Sequence, residues 1–209
     1  MRWQAIFFDF DGVIVDSVDV KTKAFEQMFR QYGAEVKEAV VSYHLKNSGV
    51  SRYEKFKYYY EHLLQVPLTE KKLDELGRQF SELVVQKILD SRFISGAYDT
   101  IIKLYNSNIP SFIVSGTPEK EIKTIVDKKN ISFFFKEVHG SPRKKWEITA
   151  DIIKRWNLNK EKCLFIGDAL SDYKAAAYNK IYFLGIESKD SKNVFPNGTK
   201  VEQSVNIEL

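Results

Sequence analysis

The chain has 209 residues, 44% of them hydrophobic and 14% aromatic, enough to bury a full core in one domain with or without an insertion. Its 32 Lys and Arg are spread against 28 Asp and Glu, and the resulting net charge of +4 falls short of the concentrated basic footprint of a nucleic-acid binder. No stretch approaches the roughly 18 continuous apolar residues of a membrane span, and Met1-Arg2-Trp3-Gln4 leads directly into an apolar run and not into a cleavable signal, so a cytoplasmic protein without membrane partners is expected.

The first element is Ala5-Ile6-Phe7-Phe8, a strand without a polar face, suited to the middle of a parallel sheet covered on both sides. It delivers Asp9 and Asp11 into a turn at Gly12. Residues two apart in extended chain point to the same side, so the two carboxylates can share one metal or one substrate. Asp-x-Asp-Gly also opens ordinary turns and calcium loops, but Val13 and Val15 stand where a calcium loop needs oxygen ligands, and no glutamate closes it.

Between Asp16 and about Arg92 strands vanish. Phe25, Met28, Phe29 and Tyr32 recur at helical spacing before Gly33, Arg52 to Leu64 is a second helical stretch, and Leu73, Leu76, Phe80, Leu83 and Val84 mark a third. This predicts a helical insertion over residues 17–92, with residues 1–16 and 93–209 forming an α/β core. Tyr58-Tyr59-Tyr60 on a helix face different directions, which favours packing within the insertion over a base-stacking surface.

From Phe93 onward strands and amphipathic helices alternate. The pattern predicts a strand over Ile109–Val114 and a helix with Thr117 as N-cap and Pro118 at its first position, running to about Asn130. A strand near Phe133–Val138, a helix near Lys145–Trp156, the strand Cys163–Ile166, a helix near Ser171–Tyr178 and a strand Tyr182–Ile186 follow. Such alternation implies right-handed crossovers and a parallel sheet. Cys163, the single cysteine, is expected as a buried strand residue. The tail from Lys189 is polar, carries the turn signal Pro196-Asn197-Gly198, and ends in a short edge strand or in loose chain.

Several strand ends then converge. Ser115 closes Phe112-Ile113-Val114, Asp168 closes Leu164-Phe165-Ile166-Gly167 with Asp172 one turn on, and Lys145 opens the helix after Gly140-Ser141-Pro142. In a parallel sheet all of these project over one edge, opposite Asp9 and Asp11. A phosphate monoester needs a nucleophile, counter-charge for its oxygens and a proton for its leaving group. Asp9 can attack phosphorus to give an aspartyl-phosphate, while Asp11 protonates the leaving oxygen and then activates water. Asp9 and Asp168, with Asp172, suit Mg²⁺; Ser115, with Gly116, and Lys145 suit the non-bridging oxygens.

Asp9-Phe10-Asp11-Gly12-Val13, Ile113-Val114-Ser115-Gly116-Thr117, Lys145 and Gly167-Asp168-Ala169-Leu170-Ser171-Asp172 together resemble the four motifs of the haloacid dehalogenase superfamily, in its phosphoglycolate-phosphatase-like branch with a helical cap. The resemblance covers residues 4–187. It implies a Rossmann-like α/β core with an inserted cap and a Mg²⁺-dependent phosphatase acting on a small phosphorylated metabolite. It also implies Asp9 as nucleophile, Asp11 as acid and base, Ser115 and Lys145 as phosphate binders, and a metal held by Asp9, Asp168, Asp172 and the main-chain oxygen of Asp11. Lys144 competes with Lys145 for the lysine role.

Asp11 argues against a true dehalogenase, which needs neither the second aspartate nor magnesium. Lys46 is read as a solvated lysine and not as a Schiff-base lysine. A β-phosphoglucomutase is the rival reading, because Gly49-Val50-Ser51-Arg52 resembles its specificity loop, yet the hinge histidine of that enzyme is missing from Ser17-Val18-Asp19-Val20-Lys21. A catalytically inactive binding protein is the second alternative. The loop Asn47–Arg52 is expected to close over the site, with Arg52 gripping a second substrate group. His44, His62 and His139 show no metal-ligand spacing. The substrate and the oligomeric state stay open.

Overall fold

The computed structural model describes residues 2–187 and 194–209. Among them, six strands form one parallel sheet in the order β3-β2-β1-β4-β5-β6: β1 Ala5–Phe8, β2 Ser111–Pro118, β3 Glu137–Ser141, β4 Cys163–Gly167, β5 Tyr182–Ile186 and β6 Val201–Glu202. β1 lies at the centre, paired with β2 through Phe8 and Ile113 and with β4 through Phe8 and Ile166. The chain crosses to opposite sides from this strand, which makes its carboxyl end the switch point of an α/β sheet, the place where such sheets bind ligands.

Both faces of β1 are covered, as its unbroken apolar run requires. Ala5 and Phe7 pack with Phe112, Val114 and Phe165 beneath helices α7 (Lys145–Arg155) and α8 (Leu170–Asn179). Ile6 and Phe8 join Ile113, Leu164 and Ile166 on the other face, under α5 (Ala97–Asn106) and α6 (Glu119–Lys128). Each wholly buried phenylalanine here contributes about 1.5–3 kcal/mol relative to an exposed one. The fold is therefore a three-layered, Rossmann-like α/β sheet.

Between β1 and α5 the chain is helical: α1 Val18–Phe29, α2 Ala34–Lys46, α3 Arg52–Tyr58 continuing as a π-helical turn through Leu64, and α4 Glu70–Asp90. Entry and exit lie side by side, with Val15 bridged to Phe93 and the Ile94 amide donating to Ile14 at 3.0 Å. Phe25, Phe29, Phe56, Tyr59 and Phe80 form an aromatic centre, and this centre is continuous with the sheet core. Tyr59 and Tyr60 are buried and Tyr58 stacks on Tyr43, so the tyrosine run packs the insertion.

Several expected boundaries shift. β2 continues to Pro118 and α6 starts at Glu119, because the Thr117 hydroxyl is taken up by Asp11 and Lys21 and does not cap the helix. The expected strand at Phe133–Val138 is a 3-10 turn at Ser132–Phe134 followed by β3 from Glu137, and Phe133 and Phe134 both place their rings against Tyr105 of α5. Helices α2 and α5 have no counterpart in the sequence reading. In the tail, Pro196 accepts from the Thr199 amide, β6 forms the expected edge strand, and Val205 and Glu208 bond to Ser95 and Trp3, which fastens the last residues to the core. The part of the polar tail at 189–193 lies outside the described residues.

Candidate active site

The order β2-β1-β4 sets three chain segments next to one another at the sheet's carboxyl edge. Asp9 follows β1, its amide donating to Ile166 at 2.9 Å and its Oδ1 accepting from the Phe10 amide at 2.7 Å. Asp168 follows β4, and Asp172 sits in the first turn of α8, where its Oδ2 accepts from the Ala169 amide at 3.1 Å. Gly12 has φ +78°, and a Cβ there would stand 2.3 Å from Asp168 Oδ2, so both backbone sign and space demand glycine.

Carboxylate oxygens of Asp9, Asp168 and Asp172 all lie within 4.8 Å of one another. Into this group α7 inserts Lys145, whose Nζ is 2.6 Å from Asp9 Oδ2 and 2.6 Å from Asp172 Oδ1. Lys144 is the exposed residue at the helix start and pairs with Glu54 of α3, so helix geometry sends Lys145 inward and Lys144 across the surface. Burial, then the neighbouring carboxylates, push Asp168 well above the usual range. Burial likewise raises Asp172 to about 7 against the pull of Lys145, and raises Asp9. Lys145 loses by burial but gains more from Asp172 and Asp9, and holds its proton firmly. Three acidic groups share one ammonium, which leaves an unbalanced negative charge that suits a divalent cation.

Asp11 turns to a different set of partners. Its carboxylate accepts from Ser17 Oγ at 2.6 Å, from Thr117 Oγ1 at 3.1 Å and from the Lys21 ammonium, which also donates to Thr117 Oγ1 at 2.8 Å. Burial acts to raise the Asp11 pKa, but Lys21 and the two hydroxyls outweigh it and keep the group below the usual carboxylate range. Ser115 is wholly buried, its Oγ accepting from the Thr117 amide at 3.1 Å.

The Asn47–Arg52 loop lies over this edge. Ser171 Oγ donates to Ser48 O at 3.3 Å, and a Cβ on Gly49, at φ +75°, would come within 2.3 Å of Ser171 Oγ and 3.1 Å of Lys145 Nζ. The loop divides the site into two adjoining recesses. One is bordered by Asp9, Asp11, Lys21, Arg52, Gly116 and Asp168, the other by Ser115, Gly116, Ser141, Lys145 and Ser171. Arg52, 5% exposed, borders the first recess while its guanidinium is bound by Glu121 of α6 and Ser81 of α4 and lies over the Phe80 ring.

Sequence reasoning did not single out Lys21, Ser141, or the buried Lys55 and His44 for the site. Lys21 was legible only as part of the stretch 17–21, from which a hinge histidine was missing; Ser141, whose buried Oγ has no partner, was visible only in Gly140-Ser141-Pro142, the segment before the helix of Lys145. His62 is exposed, Lys46 is exposed, and Cys163 is buried in β4 with its thiol pushed up to about 11 by burial. No described helix is long and apolar enough to cross a membrane.

Comparisons with known proteins agree with this architecture. The chain is 26% identical over 179 residues to 6-phosphogluconate phosphatase of Escherichia coli, covering 81% of this chain and 76% of that protein. It is 24% identical over 181 residues to phosphoglycolate phosphatase of Pseudomonas fluorescens, covering 82% of this chain and 64% of that protein. The solved β-phosphoglucomutase of Clostridium difficile superposes with a TM-score of 0.73 at 19% identity, over 97% of this chain and 91% of that one, a likeness of fold. The family description of haloacid dehalogenase-like hydrolases matches residues 6–186, which take in strands β1 to β5, the helical insertion and all the acidic strand ends described above, and the chain belongs to that family.

Proposed function

We propose that this protein is a Mg²⁺-dependent phosphomonoester hydrolase acting on a small phosphorylated metabolite, with helices α1–α4 serving as a cap over the α/β core. The observation that carries the reading is the convergence of Asp9, Asp168 and Asp172 around Lys145, next to Asp11. The names of the relatives, phosphatases of phosphorylated acids, support it.

Asp9, Asp168 and Asp172, with the main-chain oxygen of Asp11 that the family resemblance implies, would hold Mg²⁺, which when bound supplies positive charge beside the phosphoryl oxygens. Asp9 is the nucleophile: its carboxylate forms a bond to phosphorus as the bond from phosphorus to the leaving oxygen breaks, giving an aspartyl-phosphate. Lys145 neutralises Asp9 and Asp172 and offers its ammonium to the non-bridging oxygens, and Ser115 with Gly116 binds them from β2. Asp11 delivers a proton to the leaving oxygen and then takes one from the attacking water. As held by Lys21, Ser17 and Thr117 it rests as a carboxylate, so it takes a proton from solvent when the phosphoryl dianion, a like charge, arrives beside it; the proton later removed from water restores that acid for the next cycle. Arg52 closes the cap through Glu121.

Phosphate release from p-nitrophenyl phosphate and from a panel of phosphorylated metabolites, with and without Mg²⁺, tests the reading. Metal-dependent release supports it, and a folded protein inert toward every ester refutes it. Conversion of a hexose 1-phosphate into its 6-phosphate without free phosphate would replace hydrolysis with the mutase reaction.

A further inference from the structure

Three cations border the recess of Asp9, Asp11 and Asp168, and two of them have acidic partners: Lys21 pairs with Asp11 and Arg52 with Glu121, while Lys145 in the adjoining recess pairs with Asp9 and Asp172. Lys55 differs. It projects from α3, is 2% exposed, and borders the same recess as Asp9, Asp11 and Asp168, yet among the described residues no carboxylate lies within ion-pair distance of its Nζ. Its hydrogen-bond partner is His44 Nδ1 on α2, at 2.8 Å, and the Phe25 ring lies 5.6 Å away. A buried ammonium without a counter-charge is strongly disfavoured, and the ring face of Phe25 offsets only part of that.

His44 is equally unusual. It is 4% exposed and borders the recess, and its Nε2 is buried without a partner. Acceptance of the Lys55 hydrogen bond at Nδ1 assigns the ring proton to Nε2 and holds the ammonium in one orientation. Burial and then Lys55 hold His44 far below its ordinary value, to about 2, so the ring is neutral. Burial, with Lys21 and Lys145 adding to it and Asp168 and Asp11 opposing, brings Lys55 to about 7, the mark of a cation lacking its anion.

We propose that Lys55, oriented by His44, is a binding site for a second acidic group on the phosphorylated substrate, and that this group is a carboxylate. The proposal rests on the phosphatase reading above and narrows it. A single ammonium answers one negative charge, which matches a carboxylate and under-serves a second phosphate. The phosphoryl group would occupy the Asp9 end of the site and the carboxylate the cap end, so both ends of a short substrate are read before the cap closes.

The test uses ester pairs that differ only at the acid: phosphoglycolate against ethyl phosphate, and 6-phosphogluconate against glucitol 6-phosphate, with p-nitrophenyl phosphate as a general ester, all with Mg²⁺. Wild-type kcat/KM is expected to favour the acid by at least about tenfold in one pair, and Lys55→Met or Lys55→Gln to cut that ratio by about 10- to 100-fold, the range of a hydrogen bond to a charged group. A ratio near one in both pairs overturns the proposal, as does a preference that survives loss of Lys55. The wild-type ratio decides alone if neither variant folds. Hydrolysis of the esters without discrimination removes the carboxylate site and leaves the phosphatase reading standing, whereas failure to hydrolyse any of the five removes that reading itself.

Discussion

The ammonium of Lys145 sits 2.6 Å from a carboxylate oxygen of Asp172, and the same nitrogen is 2.6 Å from Asp9. One cation thus ties the first turn of α8 to the end of β1 and holds together acidic groups that would otherwise repel. Replacing it by Lys145→Met is expected to destabilise the protein by about 3–5 kcal/mol, the cost of removing one member of a buried ionic group. Mg²⁺ should restore part of this by neutralising the stranded carboxylates, because a cation that binds only the folded state adds stability. Denaturant unfolding with and without the metal measures both effects, and an unchanged midpoint would remove Lys145 from this role. Turnover should fall by at least about 100-fold.

Arg52 and Glu121 join the helical insertion to α6 across 69 residues of sequence, with side chains 4% and 12% exposed. Arg52→Ala and Glu121→Ala are each expected to destabilise the protein, and the double variant to cost less than their sum by about 0.5–3 kcal/mol, as contacting partners do. Strict additivity in a double-mutant cycle would show that the pair contributes nothing as a unit.

Glu137 of β3 accepts two bonds from Arg155, at 2.7 and 2.6 Å, and others from Trp156 and His139. Arg155 foremost, against some opposing burial, holds its pKa down to about 2 from 4.5. A carboxyl whose pKa is depressed by folding contributes its stability in full above the unfolded value and loses it as protons are added. Wild-type stability should therefore drop between about pH 4.5 and 2 more steeply than that of Glu137→Gln, followed by thermal melting across that range. Parallel curves would contradict the assignment.

The α/β architecture was legible because its signals are local: a four-residue apolar run with no polar face, ended by a glycine turn, suits a covered strand, and acidic residues at strand ends converge once the strands are parallel. The spacing Pro142-x-x-Lys145 favoured Lys145 over Lys144 by resemblance alone, since the physical choice depends on which direction the first residues of α7 face. Helix α2 escaped because only Val40 and His44 of its thirteen residues are buried, leaving a weak apolar stripe. Phe133-Phe134 misled because adjacent aromatic residues suggest a strand, whereas here both rings find Tyr105 through a turn. Thr117 has the composition of a helix cap, and tertiary partners, Asp11 and Lys21, claimed its hydroxyl. Pairs such as Lys55 with His44 leave no periodic trace, because the contact is made between two helices and serves the cleft.

The central claim is that Asp9 attacks phosphorus. Wild-type protein turning over a phosphorylated substrate with Mg²⁺, quenched in acid, reduced with borohydride and mapped by peptide mass spectrometry, should carry homoserine at residue 9, the alcohol left when hydride reduces the acyl-phosphate and phosphate departs. Asp9→Asn should carry none and lose turnover while unfolding as a folded protein. Reduction at another carboxylate such as Asp11, or turnover retained by Asp9→Asn, would contradict the account.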